Sequence, residues 1–163
     1  MAHQTVVPLP AAPAPLTDRS AVSRVVEEHA QLRTLLDRMR RTADRMDHPA
    51  EGAITDLRSI NATLSALLLP HQMAEERTVF PELAHRLGGR DPLGAMTRMH
   101  EEIAHLTARF TALVQGMSDA GASSAEAREA RRLLYSLDAI IALHLATEEE
   151  LLSHVEDLPV HAA

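Results

Sequence analysis

The chain has 163 residues, enough for one domain that buries a substantial core. Apolar residues make up 45% of it, mostly Leu, Ala, Val, Ile and Met, while aromatics make up only 2%; strand-forming types are therefore sparse and the composition points to an all-α fold. A net charge of −7 without a basic stripe argues against a nucleic-acid partner, no apolar run reaches a membrane span, and the lack of Cys excludes disulfides, thiol catalysis and zinc–thiolate sites.

The opening MAHQTVVPLPAAPAPL has neither a basic start nor an apolar h-region, so it does not read as a signal peptide, and a cytoplasmic location is expected. Pro8, Pro10, Pro13 and Pro15 forbid a helix, which makes residues 1–17 a flexible Pro/Ala-rich tail. The first helix is expected from near Asp18 or Ser20 to Met46, with Val22, Val25, Val26, Leu32, Leu35, Leu36 and Met39 on one stripe. DHPAEG (47–52) reads as a turn. The second helix, from about Ala50 to Leu87, carries Ile54, Leu57, Ile60, Leu64, Leu67 and Leu68; Pro70 and Pro81 must distort it, since each lacks an N–H and crowds the preceding turn, and Pro70 is expected to unwind one turn beside His71.

GGRDP (88–92) ends that helix. The third runs from about Pro92 to Met117, with Met96, Met99, Ile103, Leu106, Phe110 and Leu113 on its apolar side. After the loop GMSDAGAS, Ser123-x-x-Glu126 reads as a capping box opening a fourth helix that continues to about Glu156. Four long amphipathic helices with short connections predict an up-down-up-down four-helix bundle over residues 18–158, followed by a short tail, 159–163.

The chain also contains a weak copy of itself. EEHAQLRTLL in the first helix resembles RMHEEIAHLT in the third, and HQMAEE in the second resembles HLATEE in the fourth. His29 and His71 are 42 positions apart, and His100 and His144 are 44 apart. Each half thus offers a His on its first helix and His-x-x-x-Glu on its second. Residues four apart share a helix face, about 6 Å apart along the axis, so a His and a Glu at that spacing can approach one metal together.

A bundle brings all four helices to one centre. His29, His71, Glu75, His100, His144 and Glu148 would then form an N4O2 cage, a donor set that suits iron best, with manganese and zinc as alternatives. A lone helical His is ordinarily a surface group, and Glu-Glu runs are ordinarily solvated. Here each His lies on a stripe expected to be buried; His29 shares a face with Val22, Val25, Leu32 and Leu36. Six buried polar groups need partners, and metal ions satisfy them together. His3, His48, His85, His105, His154 and His161 fall in tails, in a turn or off the common face and read as surface groups; Tyr135 reads as structural.

The order His, His-x-x-x-Glu-Glu, Phe-Pro, His, His-x-x-x-Glu-Glu resembles the hemerythrin-like family, the HHE cation-binding domain, over roughly residues 20–157. LLPHQMAEERTVFPEL is similar to the family's second-helix signature. The resemblance implies a non-haem di-iron centre, oxo- or hydroxo-bridged, with Glu75 and Glu148 as bridging carboxylates, His29 and His71 on one iron, and His100 and His144 on the other. Two departures stand out. Oxygen-carrying hemerythrins have a further His four residues after the third-helix His, where this chain has Ala104. Their last helix uses His-x-x-x-x-Asp, whereas here Glu148 and Glu149 compete, and Glu148 repeats the spacing of His71 and Glu75.

A missing His leaves an iron position open, or filled by Glu101 or water, which moves the expectation from reversible oxygen carriage toward redox chemistry or sensing. The leading expectation is a di-iron protein that binds or reduces a small oxidant (oxygen, peroxide or nitric oxide). If it is an enzyme, it is a di-iron oxidoreductase, with Leu32, Leu67, Met99 and Ile103 walling the pocket. Beside it stand an iron- or oxygen-responsive sensor without turnover, a di-iron oxidase in a biosynthetic pathway, and a metal-free helical interaction module. Neither a nucleic-acid nor a membrane partner is expected, and the pattern leaves monomer and dimer open.

Overall fold

A computed structural model of the chain describes residues 19–46, 52–86 and 93–156. Both tails, the turn at 47–51, the GGRDP segment and the side chains of Val22, Val25, Val26 and His154 lie outside the described residues. The described residues form four helical rods and no strand. The first is α1 (Arg19–Arg45). The second, over residues 53–86, is a composite: α2 (Ala53–Thr63), a wide π-helical turn (Leu64–Leu68), α3 (Leu69–Ala74), a second wide turn (Glu75–Val79) and α4 (Phe80–Arg86). The third and fourth rods are α5 (Gly94–Gly116) and α6 (Ser124–Glu156).

Chain punctuation sets these boundaries. Gly52 precedes α2 with φ 91°, a left-handed conformation that glycine adopts without Cβ strain. Ahead of α6 the capping box is reciprocal: the Ser123 amide donates to Glu126 Oε2 at 2.7 Å, and the Glu126 amide donates to Ser123 Oγ at 3.3 Å.

The two wide turns answer to the prolines. The amide just before each proline closes the longer ring: Leu69 N–H donates to the Leu64 carbonyl, and Phe80 N–H to the Glu75 carbonyl. Pro70 and Pro81 therefore widen the rod rather than unwind it, and the flanking residues keep right-handed helical φ and ψ. Widening also corrects the register. The buried positions Ile60, Leu64, Leu68, Gln72, Val79 and Leu83 step mostly by four. A pure α-helix would turn that stripe by about 140° between Ile60 and Leu83. Each wide turn absorbs about one residue, roughly 100° of rotation, and the two together bring Leu83 back to within about 60° of Ile60 and keep the stripe facing inward.

Around the bundle, α1 packs on α6 and on the second rod, and α5 packs on the same two. Consecutive rods are thus neighbours, as an up-down-up-down arrangement requires. A polar contact ties each of the four seams: Arg40 to Asp138, Arg45 to Asp56, Thr111 to Asn61 and Arg109 to Glu129. Such mostly exposed pairs contribute about 0–1 kcal/mol each, so burial must hold the rods together.

That burial occurs in two separate apolar clusters. The larger is built on Leu32, Leu36, Met39, Leu57, Leu64, Leu68, Ile103, Phe110, Leu134 and Ile141. The smaller contains Val79, Phe80, Leu83, Leu93 and Met96, with Met99, Leu151 and Leu152 packed against it. Between them along the rods lie buried histidines and glutamates.

Candidate metal centre

All four rods contribute to this polar layer. α1 supplies His29, α3 supplies His71, the second wide turn opens with Glu75, α5 supplies His100, and α6 supplies His144 and Glu148. Each is at most 4% exposed. Nothing in the apolar pattern around them calls for polar groups; the helices place them there because each occupies an inward register position one turn from a core Leu or Ile. Leu32, Leu68, Ile103 and Ile141, each three residues from one of the four histidines, are fully buried.

The inward atoms converge. Nε2 of His71 lies 2.5 Å from Glu75 Oε1, while Glu75 Oε2 lies 3.1 Å from Nε2 of His100 and 3.5 Å from Nε2 of His144. Glu148 Oε2 lies 3.0 Å from Nε2 of His29 and 3.9 Å from Nε2 of His144. Glu75 thus spans the centre, one oxygen toward each half. His29 and His71 meet edge to face at 5.2 Å and 76°, and His100 and His144 repeat the arrangement at 4.7 Å and 72°. The internal repeat of the sequence is a repeat of geometry.

Close as they are, these atoms are not hydrogen-bonded to one another. All four Nε2 atoms and all four oxygens of Glu75 and Glu148 are buried without a partner of proper hydrogen-bond geometry. With neutral imidazoles such atoms are orphaned in a closed interior, at a cost on the order of 1–3 kcal/mol each. Donor atoms gathered this closely are what a cation would satisfy. They fall into two groups, His29, His71, Glu75 and Glu148, and Glu75, His100 and His144, within each of which the donor atoms lie no more than 4.8 Å apart. Either group can hold a metal ion, and Glu75 belongs to both.

The opposite ring nitrogens are held from behind. Nδ1 of His71 is 2.8 Å from Glu28, Nδ1 of His100 is 2.8 Å from Glu76, and Nδ1 of His29 is 3.0 Å from Glu149, which Arg33 also grips. A carboxylate on Nδ1 keeps the proton there and leaves Nε2 free as a metal donor. Burial alone disfavours the imidazolium at these positions, but the carboxylates outweigh it. His71, against Glu75 and Glu28, is pushed up to about 9, and His29 and His100 are raised as well. Burial pushes Glu75 up, yet His100, His144 and His71 together hold it well below the usual carboxylate range.

The six residues singled out from the sequence come together, and it is Glu148 that faces the centre while Glu149 sits behind His29. His85, His105, Glu101 and Ala104 are exposed. Tyr135 is partly exposed and bonds Asp44 across the α1–α6 seam. Leu67 and Met99 are half-buried, whereas Leu68, three residues before His71, is fully buried.

Glu28 and Glu76 had no role in the sequence reading, and Glu149 figured there only as a rival to Glu148. A signal existed: each stands next to an inward residue, about 100° further round its helix, where it reaches the neighbouring rod's His across the seam.

The model of the family "Hemerythrin HHE cation binding domain" matches residues 20–154. The chain belongs to this family. No match is found among curated proteins or among solved structures. Membership agrees with both the helical fold and the paired His/Glu groups. A hemerythrin-like domain binds cations, and this chain has two buried groups able to take them.

Proposed function

We propose that this hemerythrin-like chain holds two iron ions, one per group, and uses them to bind or reduce a small oxidant: oxygen, peroxide or nitric oxide. The observation that carries the reading is the set of eight inward donor atoms without hydrogen-bond partners, divided into two groups that share Glu75. Four imidazole nitrogens with carboxylate oxygens suit iron, with manganese and zinc as the competing ions. Bound there, an iron pair supplies one-electron steps between Fe(II) and Fe(III).

The protein's own contribution is geometric. Glu75 keeps the two seats adjacent. Glu28, Glu76 and Glu149 hold three imidazoles in the donor tautomer. Leu32, Leu68, Ile103 and Ile141 on one side, with Phe80 stacked on His100 at 5.2 Å, keep bulk water away from the reacting positions. Six donor residues for two ions leave coordination positions for an external ligand. Ala104, one turn beyond His100, offers no donor. No described helix is long and apolar enough to cross a membrane, and we read the chain as acting in the cytoplasm, without a membrane or nucleic-acid partner.

The test is rapid mixing of the anaerobically Fe(II)-loaded chain with hydrogen peroxide, oxygen or nitric oxide, followed by absorption. Consumption of at least one oxidant, or saturable complex formation, well above that of free iron at the same concentration is expected. Behaviour equal to free iron with all three overturns this reading in favour of a sensor that responds to metal occupancy alone.

A further inference from the structure

The two halves of the centre match in ring geometry but not in what supports them. His29 corresponds to His100, His71 to His144, Glu75 to Glu148 and Glu76 to Glu149. Under this correspondence the Glu76–His100 contact is repeated by Glu149–His29. The Glu28–His71 contact is not repeated. The residue before His29 is Glu28; the residue before His100 is Met99. Met99 packs with the smaller apolar cluster, and Nδ1 of His144 is buried with no hydrogen-bond partner. The inner donors differ in the same direction: two carboxylates stand in the His29/His71 group, and only Glu75 stands in the His100/His144 group.

We infer that the two seats are inequivalent by construction: the His29/His71 seat is the tight one, Glu28 is a positioning residue for it, and Met99 is what keeps the His100/His144 seat weak and exchangeable. The inference rests on the proposal that the centre holds metal. The physical ground is that a carboxylate on the far nitrogen fixes the tautomer and raises the basicity of the coordinating one, and losing such a partner costs about 10- to 100-fold in metal affinity. His144 lacks that partner, and the second carboxylate of the centre, Glu148, stands closer to the other seat, 3.0 Å from His29 against 3.9 Å from His144.

The experiment is a titration of the metal-free full-length chain with Co(II), followed by calorimetry and by the visible absorption of the bound ion. The wild type is expected to bind in two steps at least about 10-fold apart. His100→Ala should abolish the weaker step and leave the tighter one, identifying the seats. Glu28→Gln should weaken the tighter step by about 10- to 100-fold, and Met99→Glu should strengthen the weaker step by about 10-fold or more. A gain of affinity at Met99 is not something a merely structural role would produce.

Circular dichroism checks that each variant keeps its helices. Should Met99→Glu fail to fold, Glu28→Met decides, because it should bring the tighter step down toward the weaker. Two steps of equal affinity in the wild type, or loss of the tighter step in His100→Ala, would overturn the inference while leaving the metal centre standing. A wild-type chain that takes up no Co(II) at all would instead remove the metal reading beneath it.

Discussion

Nδ1 of His71 and a carboxylate oxygen of Glu28 lie 2.8 Å apart, on two different rods, although 43 positions separate them in the chain. The contact ties the orientation of a buried imidazole on the second rod to a partly exposed carboxylate on the first. It is one of three such ties, and together they make the centre a property of the assembled bundle rather than of any single helix.

Ligand substitutions should sort by seat. His71→Ala should cost one metal ion per chain, and Glu75→Ala, which removes the residue common to both groups, should cost both. His105→Ala, on an exposed position, should leave the metal content unchanged. Elemental analysis of the purified variants checks this. Equal metal loss in all three would mean that the inward face has been misidentified.

The metal-free chain should respond to pH in a definite direction. His71, raised to about 9, and His29 and His100, raised as well, contribute stability that is fully present below pH about 6.5, the ordinary His value, and is lost as pH rises through the folded-state values. Glu75 is depressed, so its contribution is present above the usual carboxylate range and fades in acid. The melting temperature of the metal-free protein should therefore be highest between about pH 5 and 6.5 and fall toward pH 9. Metal uptake should run oppositely, strengthening as pH rises and releasing protons, because the ligating nitrogens must be neutral. Melting curves across pH and proton release measured during titration test the two halves. A metal-free protein that gains stability between pH 7 and 9 would contradict the charge pairing.

The wide turns should be removable if the register is kept. Deleting the exposed Ala66 together with Pro70→Ala lets the Leu64–Leu68 turn close into ordinary α-helix without rotating His71 away from the Ile60–Leu64 face. Metal content should survive. Deleting the exposed Ala139 from α6, which has no wide turn to absorb the loss, turns His144 and Glu148 by about 100° and should weaken or abolish binding at both seats, since each seat takes one of the two residues. The Ala66 deletion with Pro70 retained should be less stable by about 3 kcal/mol, since the ring again meets a helical carbonyl. Metal analysis and denaturant unfolding measure both effects, and identical metal loss in the Ala66 and Ala139 deletions would refute the register argument.

At the start of α6, Ser123→Ala should cost about 1 kcal/mol by removing the capping hydroxyl. Glu126→Ala should cost a similar amount, and the double variant less than the sum, because the two side chains cap each other. Urea unfolding of the three proteins closes the cycle; simple additivity would show that the reciprocal contact contributes nothing.

Helix number, order and approximate ends were legible in the sequence because apolar spacing at Leu32, Leu36 and Met39, or at Ile103, Leu106 and Phe110, follows a helical period that packing then obeys. The six inward residues were legible because His and Glu at i and i+4 recur in both halves. The form of the proline distortion was not, since a missing N–H can be met by unwinding or by widening. Only the step of four among Ile60, Leu64 and Leu68, continued past His71, favours the wide turn. Glu28 and Glu76 were hidden for another reason: their role depends on which rod lies beside which, and a carboxylate next to a buried position looks like any solvated one until the neighbouring helix is in place.

The most direct measurement is the iron content of the full-length chain, reconstituted anaerobically with Fe(II) and freed of loosely bound ions, read together with its near-ultraviolet absorption after exposure to air. About two irons per chain, with a ligand-to-iron charge-transfer band that the Glu75→Ala variant lacks, is the result predicted for two seats sharing one carboxylate. A correctly folded chain that stays free of iron, or that binds it as well without Glu75, would contradict the account at its centre.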